Sequence, residues 1–155
     1  TLIRTARGKS ILIQHDITSP RPYNRLHTIS GTKGFAQKYP IRSLAFDPDA
    51  HHRLSDEQLD QMLRRYEHPI TREIGEKARE VGGHGGMDFI MDYRLVYCLR
   101  HGLPLDQDVY DAAEWSSLAE LTEASVRNGS MPVAMPDFTR GAWRKVEGFS
   151  HAMAE

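Results

Sequence analysis

The chain has one cysteine among its 155 residues, Cys98, so an internal disulfide framework is excluded. No apolar run approaches the roughly 18 residues that argue for a membrane-spanning helix. Charge of one sign is missing too. Twenty Lys plus Arg stand against 21 Asp plus Glu, a formal net charge of −1, and the broad positive field of a nucleic-acid binder is absent. No Gly-x-Ser-x-Gly, His-Glu-x-x-His or Walker pattern occurs. There is no initiating methionine and no signal-like segment. What is present is ordinary for a globular domain: 39% hydrophobic and 26% charged residues, which argues against disordered and fibrous classes. A chain of this length is about one domain and can bury roughly 70% of its unfolded surface.

Thr1-Leu2-Ile3-Arg4 has strand character, Gly8-Lys9 has turn chemistry, and Ser10 to His15 reads as the returning strand. A hairpin opening at the first residue leads to the expectation of a C-terminal piece of a longer chain, with residues 1–155 forming one domain. The first 46 residues read as mainly β. Ile11 to Ile17, Tyr23 to Ser30 and Phe35 to Tyr39 are the expected strands, with Gly31 to Gly34 as a turn. Pro20, Pro22 and Pro40 belong at edges or bends.

Helical spacing begins at Ser55. Ser55 and Gln58 have the capping-box interval, and Leu59, Met62, Leu63 and Tyr66 form an apolar stripe expected to end at Pro69. A shorter helix is expected over Ile70 to Val81, then a glycine interruption. Further helices are expected from about Met87 to Arg100, with Ile90, Tyr93, Tyr97 and Met91 toward the core, and from about Asp106 to Arg127. The tail, with Pro132, Pro136 and Trp143, reads as extended. Strands followed by helices predict an α+β fold: one open, mainly antiparallel sheet with helices on one face.

Gly82-Gly83-His84-Gly85-Gly86 is the sharpest local feature. Glycines let backbone approach a ligand closely, and the following helix start offers free N–H groups. The spacing is not the G-x-G-x-x-G dinucleotide pattern. His84, Asp88 and Asp92 recur at intervals of four. One reading is a ligand-facing acid/base group, His84, with its tautomer set by Asp88; the other is a helix start satisfied by its own polar residues. Metal binding is the least favoured, and no metal site is assigned. The second feature, Ser19-Pro20-Arg21-Pro22-Tyr23-Asn24-Arg25, is either a stiffened turn presenting hydrogen bonds to a polar ligand or an edge bend with solvated arginines. His15 and Asp16, on opposite faces of a strand, are not expected to pair. His51-His52 and Arg64-Arg65 read as solvated, Cys98 as core, and Trp115 and Trp143 as packing residues.

Together, Gln14-His15-Asp16 through Tyr23, Gly31 to Gly34, Gly82 to Asp88 and Pro136-Asp137-Phe138 resemble the C-terminal part of the NAD-dependent α-N-acetylgalactosaminidases of glycoside hydrolase family 109. That family lies within the wider glucose-fructose oxidoreductase-like (Gfo/Idh/MocA) group. The resemblance implies a whole protein with an N-terminal Rossmann domain that holds NAD and is missing here, followed by this C-terminal α/β domain. The implied reaction oxidises the sugar, eliminates the aglycone, adds water and reduces, with retention of configuration, outside the usual two-carboxylate plan. Tyr23 matches the family's substrate-contacting tyrosine, and His84 matches the glycine-framed histidine, carried as the catalytic candidate. Arg21 and Asp88 are supporting substrate-site candidates, expected to orient Tyr23 and His84 respectively. Cofactor-binding residues are not identified in this chain, and the fragment alone is expected to be inactive.

The implied partner is an α-N-acetylgalactosaminide or related sugar, with self-association through the open sheet. Compartment is not encoded here; an exported bacterial enzyme is favoured over a cytoplasmic one. Two other functions stay open: a sugar or cyclitol dehydrogenase on the same scaffold, and a non-catalytic oligomerisation or carbohydrate-binding module.

Overall fold

A computed structural model of the chain describes residues 1–146. They are arranged as two compact units, one of residues 14–68 and one of residues 1–13 with 69–146.

In the second of these, strands β1 (Leu2–Arg4) and β2 (Ser10–Leu12) form an antiparallel hairpin with Ile3 opposite Ile11. The Thr5–Lys9 turn closes through Thr5 N–H to Lys9 O at 2.8 Å, with Gly8 at φ 77°. Ile13 N–H donates to Thr1 O, the last rung of the ladder. The strand expected to continue to Ile17 therefore stops early, for want of a partner.

Strands β3 (Thr28–Ser30), β4 (Gly34–Gln37) and β5 (Ser43–Phe46) form a three-stranded antiparallel sheet in the unit of residues 14–68. The expected strand from Tyr23 shrinks to β3. Pro20 and Pro22 lack ladder donors, and the Asn24 side chain captures Leu26 N–H at 2.7 Å while Leu26 sits at φ 42°. The α+β class and the antiparallel pairing hold. The single open sheet does not: the strands form two small sheets, one in each unit. Gly34 is required in β4 because a Cβ there would lie 2.6 Å from the Phe46 ring and 2.8 Å from Ala45 O.

Helix α1 (Asp56–Arg65) starts with the expected capping box: Ser55 Oγ accepts from Gln58 N–H at 3.2 Å and Ser55 N–H donates to Gln58 Oε1 at 3.0 Å. Leu59 is buried, whereas Tyr66 at the end of the stripe is exposed. Pro69 does not end this helix, which already stops at Arg65. It opens α2 (Pro69–Val81), a first-turn position where its missing N–H costs nothing.

A 3-10 turn at His84–Gly86 leads into α3 (Met87–His101), which ends on the left-handed Gly102. α3 packs against α2, and its least exposed line is Ile90, Arg94 and Cys98, spaced by four; Arg94 and Cys98 are buried and Ile90 half-buried. Met91, turned away from that line, is exposed rather than core; Tyr93 and Tyr97 are half-buried. The contact is close because of Gly86, whose Cβ would come within 2.8 Å of the Ala78 backbone.

Helix α4 (Val109–Arg127) begins three residues later than expected. Asp108 is its N-cap, accepting from Tyr110 and Asp111 N–H at 2.7 and 3.1 Å, and Asp106 is drawn into an ion pair with Arg94. It stops at Asn128-Gly129 as expected, and none of its residues is buried. Trp115 stands 55% exposed, contrary to its expected packing role. Trp143, in a 3-10 turn at Ala142–Lys145, is half-buried and donates Nε1–H to Asp137 at 3.2 Å. Cys98 is fully buried, as expected. No helix among the described residues is long and apolar enough to cross a membrane.

Candidate functional site

The residues singled out from the sequence fall into two clusters, one in each unit. In residues 14–68 the chain from Asp16 to Leu26 has no regular structure, and short polar bonds shape it instead. Asp16 lies outside any strand. Its Oδ1 accepts from the N–H groups of Thr18 and Ser19 at 3.2 and 3.0 Å, while its Oδ2 meets Arg21 at 3.0 Å. The bonds from Ser19 chiefly, then from Thr18, with the Arg21 charge, lower the Asp16 pKa from 3.8 to about 2.

Arg21 is therefore held by Asp16, which corrects the expectation that it orients Tyr23. That role falls to Arg25. Arg25 lies two residues after Tyr23, and its Nε–H donates to the Tyr23 hydroxyl. The guanidinium also sits 5.7 Å from the Tyr23 ring centroid, and Tyr39 meets that ring edge-on at 6.2 Å. Tyr23 is 73% exposed. Its oxygen accepts from Arg25, so its own proton is free to point outward to a ligand.

The other cluster is built by backbone. Gly82, Gly83, His84, Gly85 and Gly86 all have positive φ, between 47° and 98°, a run that only a glycine-rich sequence follows without heavy strain. Gly83 O accepts from Gly86 N–H at 2.9 Å and tightens the turn. A Cβ on Gly83 would lie 2.9 Å from Asp88 Oδ2, so the missing side chain makes room for that carboxylate. His84 Nδ1–H donates to Asp88 Oδ2 at 2.9 Å, with Oδ1 at 3.1 Å. In this arrangement Asp88 fixes the neutral tautomer and leaves Nε2 of an exposed imidazole open as an acceptor. A groove of about 480 Å³ begins at Gly82, Gly83 and Asp88 and follows α3 past Asp92.

His84 with Asp88, and Tyr23 with Arg25, are thus local pairs. The pairings of Arg25 with Tyr23 and of Asp16 with Arg21 were not read from the sequence. The two-residue spacing of Tyr23 and Arg25 could have signalled the first, whereas the Asp16–Arg21 pair depends on an irregular bend. His51 and His52 are exposed as expected, His52 bonding Asp49 at 2.7 Å. Among the described residues no group of three or more His, Cys, Asp or Glu could hold a metal ion. Gly82–Gly86 joins two helices, not a strand to a helix, so it does not fit a dinucleotide pyrophosphate in the manner of a Rossmann turn.

Residues 1–145 match the family model described as glycosyl hydrolase 109, C-terminal domain. A "Glycosyl hydrolase family 109 protein 1" of Phocaeicola vulgatus is 53% identical over all of this chain and 36% of its own length. A "Glycosyl hydrolase family 109 protein" of Porphyromonas gingivalis is 54% identical over the same shares. An "Alpha-N-acetylgalactosaminidase" of Bacteroides fragilis is 58% identical over 94% of this chain and 34% of its own length. The chain thus spans about a third of the length of these curated relatives. It belongs to the glycosyl hydrolase 109 family, of which it is a C-terminal domain.

Proposed function

We propose that the whole protein carrying this domain hydrolyses terminal α-linked N-acetylgalactosamine with retention, and that this chain supplies part of its sugar-facing surface. The observation that carries the reading is family membership, supported by the name of the Bacteroides fragilis relative. The geometry agrees with a role in binding neutral, hydroxyl-rich ligands: an outward phenol at Tyr23 and an imidazole at His84 oriented by Asp88. NAD, held by residues outside this chain, supplies the reversible oxidation of the sugar. Within the present residues, the Tyr23 hydroxyl donates to a sugar oxygen, and His84 Nε2 accepts a proton from a sugar hydroxyl or a water. Asp88 stabilises the imidazolium that results. The isolated chain is expected to be inactive.

The test is an assay of the full-length protein on an α-linked N-acetylgalactosamine chromogenic glycoside, following sugar release and NADH absorbance together. Release without NADH build-up is the expected result. NADH accumulation without cleavage would overturn the reading in favour of a dehydrogenase, and no turnover of any kind would favour a non-catalytic relative. His84→Ala should lower kcat by about 100-fold if the imidazole moves a proton. Tyr23→Phe should raise KM about three- to tenfold, the worth of one neutral hydrogen bond.

A further inference from the structure

The groove beside the His84–Asp88 pair has chemistry that neither residue uses. One wall is apolar: Val81, Phe89, Tyr93 and Val96 line it. The Phe89 and Tyr93 rings, one helical turn apart on α3, lie 25° from parallel with centroids 6.2 Å apart. Tyr97 extends the row at 6.4 Å and 20°. Aromatic side chains at this interval make a stiff apolar wall with little conformational freedom to lose on binding. Beside them Asp92 is exposed and has no partner among the described residues, whereas Asp88 is engaged by His84. Among the described residues no cationic side chain lines the groove, so an anionic ligand would meet two carboxylates and no offsetting charge from them. A ligand suited to these walls is neutral, carries hydroxyl donors for Asp92, and has an apolar face to lay on the rings. A pyranose ring has all three properties.

We infer that the groove along α3, lined by Phe89, Tyr93 and Asp92, is a carbohydrate subsite for the part of a glycan beyond its terminal sugar. The inference rests on the glycosidase reading for the kind of glycan, and on the groove alone for the ligand class. Glycine at 82 and 83 keeps the wall nearest His84 free of side chains, so a chain entering from that end meets the rings next.

The experiment compares, in the full-length protein, kcat/KM for a trisaccharide ending in α-linked N-acetylgalactosamine with kcat/KM for the chromogenic glycoside. Phe89→Leu keeps the apolar bulk and removes the ring; it should lower the trisaccharide-to-chromogenic ratio about three- to tenfold, while Phe89→Tyr keeps the ring and the ratio. Asp92→Asn, at an exposed position, should lower the same ratio about threefold. An unchanged ratio in Phe89→Leu, or an equal loss in Phe89→Tyr, would overturn the subsite. Should Phe89→Leu fail to fold, Asp92→Asn decides alone, and an unchanged ratio overturns it. If the wild-type protein cleaves neither substrate, the glycosidase reading fails separately. The groove is then tested by calorimetric titration of the trisaccharide against free N-acetylgalactosamine, where binding no tighter than that of the monosaccharide overturns it.

Discussion

The two clusters are held in opposite ways. Around Tyr23 the backbone has no regular structure, and the side chains of Asp16, Asn24 and Arg25 hold it in shape. Around His84 the side chains do little beyond one bond to Asp88. The shape comes from five residues of positive φ set between two packed helices. A site built from side chains should lose its geometry when a charge is removed. A site built from backbone should lose it when a methyl group is added.

The largest expected effect is therefore at Gly86. It needs φ 98°, and its Cβ would sit 2.8–3.0 Å from Ala78 backbone and side chain. Gly86→Ala should cost about 3 kcal/mol, strain and overpacking together, read as a lower urea midpoint. An unaltered midpoint would mean that α2 and α3 do not approach so closely. Smaller is the loss expected at the ion pair on α3. Arg94 is 8% exposed and meets Asp106 at 2.8 and 3.1 Å, while its Nη1 is buried without a hydrogen-bond partner among the described residues. Asp106 raises the Arg94 pKa against the opposing effect of burial. Asp106→Asn would leave that guanidinium poorly compensated, at about 2 kcal/mol, less than a fully buried pair because Asp106 is partly in water. Gly85→Ala is the control within the glycine run. Its φ is 72° but nothing lies within 4 Å of its Cβ, so only backbone strain remains, about 1 kcal/mol. Equal losses at Gly85 and Gly86 would show that conformation alone, and not helix contact, makes the run necessary.

The same contrast explains what could be read in advance. The Ser55–Gln58 box, the glycine stops and the His84–Asp88 pair are local rules acting over three or four residues, and each is present. The glycine run was legible because positive φ selects glycine whatever surrounds it. Strand lengths were not, since a strand lasts only as long as its partner does: β2 ends where Thr1 is its last neighbour. Nor was Arg94, a charged residue in an apolar helical pattern, whose burial is made tolerable by Asp106, 12 residues later beyond a helix end. Arg21 was assigned to the wrong neighbour for the same reason. Its partner is set by an irregular bend, which side-chain periodicity does not describe.

The smallest and most specific prediction concerns that bend. Asp16 has a pKa lowered to about 2 in the folded chain, below the usual 3.8. A group lowered in this way contributes to stability above the higher value and loses that contribution as pH falls through the lower one. The Thr18 and Ser19 amides should therefore stay bonded from neutral pH down to about pH 3 and be released near pH 2, a change visible in their amide shifts in a nuclear magnetic resonance titration. Asp16→Asn separates the two contributions. The amide oxygen still accepts from Thr18 and Ser19, but the charge opposite Arg21 is gone. If the bend keeps its shape in that variant and loses it in Asp16→Ala, the backbone bonds hold the loop and the ion pair is incidental, as expected for an exposed pair in water. If both variants lose it, the Arg21 contact is what sets the direction of the chain toward Tyr23. The Tyr23 cluster would then depend on charge at two points, Arg21 as well as Arg25.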